Sequence, residues 1–387
     1  MNSQRTAVLR GRAVELAALV TLFAAMLVPS VPVARAVPAA GAAPVARAAS
    51  AARAGSVAHV ATAPPHFTDG FGLTVVSQPE WVAKRTFVLT VKSTEVPVYD
   101  AMQGQVSGQH VLMVTVPAGY NAAAATRYPV LYMLHGAPER PNGRRYLDLS
   151  ERATQGRPLI TVTPNGGGRG WYTNWANPGS RGRQNWESFH LDQVIPFIDA
   201  NVKTIPSRAG RAIVGHSMGG FGAFHYAEDR PDLFGYAGSF SGDLDLDDPV
   251  MRAAVVGSGL LPAYGAPLET PGAIFGPPVW PLDAGWDKAS PAQHVGALRG
   301  MGVAMYTGNG GNLTVDPVLA VAEKAVERTT LRAATALRAA GIPYHLVDYG
   351  NGGAWASGCT GKHSQDACLQ ADMNDYVSLI MKHLHHP

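Results

Sequence analysis

The 387-residue chain has little cysteine, little charge and no long apolar run. Two cysteines and no CxxC pair exclude a multiply cross-linked scaffold and leave nothing with the spacing of a zinc ribbon. The apolar run at residues 16–29 (LAALVTLFAAMLVP) falls short of the roughly 20 residues that cross a bilayer, so no stable membrane span is expected. No segment recurs with a period of 20–50 residues, which excludes solenoids and propellers. Positive charge is also scarce where it would matter. The formal net charge is +3, from 31 basic and 28 acidic residues, but residues 1–66 carry six Arg against one Glu, leaving 25 basic and 27 acidic groups in 67–387. A domain without surplus cations has no face to neutralise phosphates, so a nucleic-acid partner is excluded.

What is present is a globular composition, 46% apolar with 15% charged residues. Arg5, Arg10 and Arg12 precede the apolar run, and Ala34-Arg35-Ala36 follows it with small residues where a signal peptidase reads. Residues 1–36 therefore read as a secretory signal peptide. Residues 37–66 form an Ala/Pro/Arg tract without amphipathic period, expected to be a disordered spacer or pro-segment. In an oxidising compartment Cys359 and Cys368 are expected to pair as one disulfide. From 67 onward, β-branched apolar runs at 86–91, 110–116, 129–134, 159–163, 211–214, 236–240, 302–306 and 344–348 alternate with amphipathic stretches at 186–202, 218–228, 317–340 and 371–384. Strand followed by helix, repeated, specifies an α/β fold whose central sheet is mostly parallel with helices on both faces. One catalytic domain over 67–387 accounts for it.

Gly215-His216-Ser217-Met218-Gly219-Gly220 follows the apolar run at 211–214 and precedes a helical stretch. This is a nucleophile elbow, G-x-S-x-G between strand and helix. Side chains two residues before and after the serine would collide across so tight a turn, hence the glycines. The arrangement exposes the Ser217 hydroxyl and aims the Met218 N–H, at a helix N-terminus, toward a developing oxyanion. The base must then lie beyond the late strands. His225 sits on the elbow helix, His294 before the late strands and His345 inside a strand, and His383, His385 and His386 belong to the chain terminus. His363 remains, in a loop that the Cys359–Cys368 bridge would close. For the orienting acid, Asp316, Glu323 and Glu327 follow the strand ending near Tyr306, and geometry in the sequence leaves Asp316 and Glu323 comparable. The turn after 129–134 makes the Ala137 N–H the expected second oxyanion donor. Gly-rich residues 165–170 lack the Lys-Ser/Thr of a phosphate loop. Trp171, Tyr172 and Trp175 after them are expected to line an acyl or aromatic pocket, the alternative being plain packing of that loop.

The stretches YPVLYMLHG (128–136), TPNGGGRGWYTNW (163–175), AIVGHSMGGFGAFHYA (212–227), FGYAGSFSGDLD (234–245), MYTGNG (305–310) and KHS (362–364), in this order, resemble the esterase D superfamily, and within it the antigen 85 mycolyltransferase group and its actinobacterial secreted esterase relatives. The resemblance implies an α/β-hydrolase fold, no cofactor, and acyl transfer from an ester to an alcohol or to water. It also implies a glutamate on the helix after the GNG strand as the acid, which selects Glu323 over Asp316. Three departures stand out. His135-Gly136-Ala137-Pro138 replaces the Asp-Gly-Leu-Arg of the mycolyltransferase turn, Gln365 stands two residues after His363 where those enzymes have Trp, and 177–184 carries no cysteine. All three lie on the acceptor side, which favours hydrolysis. The expected protein is a secreted serine esterase using Ser217, His363 and Glu323 on a small-molecule or lipid ester. One alternative is a cell-envelope acyltransferase working on a glycolipid, and another a non-catalytic wall-associated binding protein.

Overall fold

The computed structural model describes residues 63–102, 104–260 and 268–387. The expected signal peptide and nearly all of the 37–66 tract lie outside the described residues. Nine strands build a single sheet: β1 (Leu73–Trp81), β2 (Thr86–Ser93), β3 (His110–Thr115), β4 (Val130–Leu134), β5 (Ile160–Pro164), β6 (Arg211–His216), β7 (Tyr236–Phe240), β8 (Gly302–Thr307) and β9 (His345–Asp348). Their spatial order is β1-β2-β3-β5-β4-β6-β7-β8-β9. The pairs from β1 to β5 are antiparallel, and every pair from β5 onward is parallel. Every residue of β4 to β7 is buried, as expected of strands covered on both faces. The strand absent from the sequence reading is β1. It is an edge strand with Pro79 inside it, two register shifts and mostly exposed residues, so it carries neither alternation nor a buried run.

The principal helices are α1 (Arg144–Ala153), α2 (Ile195–Asn201), α3 (Met218–Asp229), α4 (Pro249–Leu260), α5 (Ala284–Ala289), α6 (Pro317–Ala339) and α7 (Asp366–His383). The stretch expected as one helix over 186–202 is interrupted, with a π-type turn at Phe189–Val194 leading into α2. Pro196 has no N–H to donate to the carbonyl four residues back, and the ladder widens where that bond is missing. Alternate side chains of each strand face opposite cores. Leu131 and Met133 meet Tyr146 and Leu149 of α1 and Met373, Tyr376 and Ile380 of α7. On the other face Val130, Tyr132 and Leu134 share a core with Phe197, Phe221, Phe224 and Leu337. Each fully buried side chain of this size contributes about 1.5–3 kcal/mol. Phe67 belongs to this second core, its ring 5.4 Å from that of Phe197. Among the described residues no helix is long and apolar enough to cross a membrane.

Because β4, β6, β7, β8 and β9 run in one direction, the turns after them emerge along a single edge of the sheet, where ligands of open α/β sheets bind. Those turns carry 135–138, Ser217, 241–243, 308–311 and the 349–365 loop.

Candidate active site

Ser217 links β6 to α3 with φ 55° and ψ −122°, a conformation that a side-chain-bearing residue holds only when its surroundings impose it. They do: a Cβ on Gly215 would lie 2.0 Å from the Gly219 carbonyl oxygen, and one on Gly219 would lie 2.2 Å from that of Leu134. The backbone is pinned by Ser217 N–H donating to Phe240 O at 3.0 Å and by Gly220 N–H donating to Ser217 O at 2.8 Å.

The Ser217 hydroxyl meets His363 Nε2 at 2.9 Å, and His363 Nδ1 meets Glu323 Oε2 at 2.8 Å. The structure thus brings together three residues separated by 106 and 40 positions in the chain. Glu323, on α6, is fully buried. Its Oε1 accepts from Ser241 Oγ at 2.7 Å, Thr307 Oγ1 at 3.1 Å and Gly308 N–H at 2.8 Å. Burial alone would raise its carboxyl, but the hydrogen bond and charge of His363, with Ser241 and the Gly308 amide, outweigh it and hold the group below the usual carboxylate range. Asp316, the other candidate acid, is exposed at the N-terminal end of α6 and makes no side-chain capping bond. It is corrected here to a surface residue, because it sits at the exposed start of α6, whereas Glu323, two helical turns further along the axis, reaches His363.

The loop that presents His363 is held at three places. The Cys359–Cys368 disulfide closes it onto α7, with the Cα atoms 4.8 Å apart. Gly310 N–H donates to Gly361 O at 2.8 Å, and His363 N–H donates to Leu319 O at 3.2 Å. This backbone approach needs glycine, since a Cβ on Gly308 would lie 2.4 Å from the Gly361 carbonyl oxygen.

A second network, which sequence reasoning missed, lies behind the first. His216, beside Ser217, has its ring 5.4 Å from that of His363, and its Nε2 pairs with Ser364 Oγ at 3.1 Å. Glu139 accepts from Gly136 N–H at 3.1 Å and from Tyr146 Oη and Arg145, while Arg145 also donates to Ser364 O at 2.9 Å. Burial works against the Glu139 charge, but His216, Arg145 and Tyr146 hold its carboxyl far below the ordinary range. Burial lowers His216 in turn, against the pull of Glu139. The signal was thin: a charged pair beside the oxyanion turn, Glu139-Arg140, with the Arg145 partner hidden on a helix the apolar pattern did not reveal.

Ser217, His363, Ala137 and Met218 line one cavity of about 230 Å³. The Met218 N–H stands at the first position of α3, where no helical carbonyl is available to it. Of the three aromatic residues expected to line a pocket, Trp171 does so. Tyr172 and Trp175 do not, and are corrected to packing residues. Trp171 and Tyr172 both have positive φ, 49° and 40°, so the chain doubles back and drives Tyr172 inward, where its hydroxyl donates to His135 O at 2.9 Å and its ring lies 6.0 Å from Tyr226. Trp175 Nε1 donates to Gly170 O at 2.9 Å and closes the Gly-rich loop on itself. His345 pairs with Asp375 at 2.9 Å and His294 Nε2 donates to Asp287 O at 3.0 Å, away from Ser217 as expected. Among the described residues one group has donor atoms close enough to hold a metal ion: Glu187, His225 and Asp229, within 4.8 Å of one another. The cluster lies at the far end of α3 from Ser217; burial works against the Glu187 charge, but His225 and Asp229, with a smaller pull from Lys288, hold its carboxyl below the ordinary range.

The architecture is that of an α/β-hydrolase. The model of the Esterase family matches residues 106–374, and the chain belongs to that family. It is 32% identical over 247 residues to Esterase Rv1288 of Mycobacterium tuberculosis, covering 62% of this chain and 49% of that protein. It is 30% identical over 191 residues to the diacylglycerol acyltransferase/mycolyltransferase Ag85A of Mycobacterium leprae, covering 47% of this chain and 55% of that protein. The chain thus spans about half the length of these relatives. In fold it is similar to the crystal structure of MPT51 from Mycobacterium tuberculosis (TM-score 0.55, 20% identity, 75% of this chain and 98% of that one). It is similar to the same degree to an S-formylglutathione hydrolase from Agrobacterium tumefaciens (TM-score 0.55, 17% identity, 80% and 99%).

Proposed function

We propose that the protein is a secreted serine esterase that hydrolyses carboxylic esters through an acyl-enzyme, with Ser217 as nucleophile, His363 as base and Glu323 as the acid that orients it. The observation that carries this reading is the hydrogen-bonded chain Ser217–His363–Glu323 opening into a cavity lined by Ala137 and Met218. Glu323, held ionised, keeps the proton on His363 Nδ1 and leaves Nε2 free to accept from Ser217 Oγ as it attacks the ester carbonyl. The carbonyl oxygen takes up the electron pair between the Ala137 and Met218 amides, at the positive end of α3. The tetrahedral species collapses, His363 Nε2–H protonates the departing alcohol, and water repeats the sequence to release the acid. Residues 1–36 act as leader and 37–66 as spacer or pro-segment, and 67–387 form the catalytic domain. The Arg-flanked apolar run and the disulfide support export.

Wild-type protein is expected to hydrolyse 4-nitrophenyl acetate and butyrate, and Ser217→Ala to lose at least about 10⁴-fold in kcat/KM while remaining folded. Native-rate hydrolysis by Ser217→Ala would overturn the proposal. The similarity to Ag85A supports a second reading, in which an alcohol takes the place of water. Supplying glycerol or trehalose alongside the ester and recovering only free acid would count against it.

A further inference from the structure

Three charged side chains line the cavity: Glu139, Arg145 and Asp243. Glu139 and Arg145 are satisfied by each other and by Tyr146, Ser364 and Asp366. Asp243 is different. It is 2% exposed, and neither carboxyl oxygen meets a donor in full hydrogen-bond geometry, the Asp245 amide being near but not aligned on it. The neighbouring acids on the same turn are fully engaged, Asp248 by Arg328 at 2.7 Å through both oxygens and Asp245 by Arg332 and the Asp247 amide. Among the described residues Asp243 is the one acid with both carboxyl oxygens buried and unpartnered, and each orphaned buried polar group costs about 1–3 kcal/mol.

The wall around it is otherwise apolar. Met251 and Ala254 of α4 and Leu319, Ala322 and Val326 of α6 complete the cavity. The one hydroxyl on that side besides Ser217 and Ser364, Ser258 Oγ, already accepts from Trp171 Nε1 at 3.0 Å and donates to Val255 O at 2.6 Å. Burial pushes the Asp243 carboxyl well above its usual range, the Asp245 amide and Arg328 opposing and the Asp248 and Asp245 charges adding. A neutral carboxylic acid presents one donor and one acceptor side by side, the complement of an alcohol.

We propose that Asp243 is the polar contact of the substrate pocket and recognises a hydroxyl group on the ester, so that hydroxylated esters are preferred over alkyl esters of the same size. This rests on the serine-esterase reading and deepens it. At about 230 Å³ the cavity lies below the usual 300–1,000 Å³ of ligand pockets, which suits a short chain or a single ring.

The test compares pairs matched in heavy atoms. On the acyl side these are 4-nitrophenyl 6-hydroxyhexanoate against heptanoate, and 3-(4-hydroxyphenyl)propanoate against 3-(4-methylphenyl)propanoate. On the alcohol side they are 4-hydroxybutyl against pentyl acetate. Wild type is expected to favour the hydroxylated member of at least one pair by about 10- to 100-fold in kcat/KM. Asp243→Leu is expected to abolish or reverse that ratio, and because the ratio is taken within each variant, a general loss of activity does not disguise it. Asp243→Ala asks the same question should the leucine variant fail to fold. No preference in any pair, or a preference that survives both substitutions, overturns the inference. If wild type cleaves both members of each pair equally, this inference alone fails. If it cleaves neither these esters nor 4-nitrophenyl acetate, the esterase reading itself fails.

Discussion

Replacing Glu323 by Gln separates the orienting role of the acid from simple space-filling. In the wild type Oε1 accepts three bonds, from Ser241, Thr307 and Gly308, while Oε2 accepts from His363. The amide of Gln must give one of those sites an NH₂. Placed at the Oε1 site it would confront the Gly308 N–H, a backbone donor that cannot turn away, at about 1–3 kcal/mol for the orphaned group. The Ser241 and Thr307 hydroxyls would also have to rotate. Placed at the Oε2 site it faces only His363, which can answer by moving its own proton from Nδ1 to Nε2. The second arrangement is cheaper and is the one expected. It presents Ser217 with a donor where an acceptor is needed, a tautomer error of about 10⁴-fold in kcat for a serine triad. The melting temperature should change by only a few degrees, since the packing is kept and a buried charge is lost. Steady-state hydrolysis of 4-nitrophenyl butyrate at pH 8, with near-UV circular dichroism and thermal melting on the same samples, reads both quantities. An Glu323→Gln enzyme within tenfold of wild type would refute the reasoning, because Glu323 would then be packing rather than orienting.

Two further outcomes follow from the structure. Replacing Cys359 and Cys368 together by Ser opens a loop whose ends are nine residues apart, so a loss of about 2.5–3 kcal/mol in urea unfolding is expected, with kcat falling more than KM changes; unchanged stability would mean that the bridge does not constrain the loop. Asp372→Asn bears on pH. Asp372 is fully buried, Trp355 Nε1 donates to its Oδ1 at 2.8 Å and its Oδ2 has no partner; burial raises its carboxyl well above the usual range, with Trp355 opposing. The folded state therefore keeps a proton that the unfolded chain releases, and stability present below the unfolded value is lost as pH rises through the folded one. Asn, which cannot ionise, removes that loss, so the variant should melt higher than wild type at pH 7–8 and the gain should vanish near pH 4. A gain that is the same at both pH values would contradict the assignment.

Much of the sheet and the elbow could be read from the sequence because their determinants are local. Strands β4 to β7 are short buried runs, and the glycines flanking Ser217 answer a clash within one turn. His363 could be found by elimination, since its competitors fall on a helix, in a strand or at the terminus. The acid could not be settled that way: Asp316 and Glu323 lie seven residues apart, and only the placement of α6 shows that Asp316 sits at its exposed start while Glu323, about 10 Å further along the axis, is buried beside Thr307 and Gly308. Tyr172 and Trp175 misled because their neighbours on the chain are a Gly-rich rim loop, whereas two consecutive left-handed residues turn the chain inward. Asp243, His216 with Glu139, and Arg145 were invisible for a different reason. What makes them notable is partnership, or its lack, across 70 to 220 residues, which no spacing in a single sequence encodes.

In the proposed reaction everything depends on Ser217 being the nucleophile of an acyl-transfer centre. The most direct measurement is reaction of the folded protein with a fluorophosphonate probe, followed by peptide mass spectrometry to locate the adduct. One covalent phosphonate is expected, on Ser217, with parallel loss of ester hydrolysis and with labelling abolished in Ser217→Ala and strongly slowed in His363→Ala. An adduct elsewhere, or full hydrolytic activity with Ser217 unmodified under saturating probe, would contradict it.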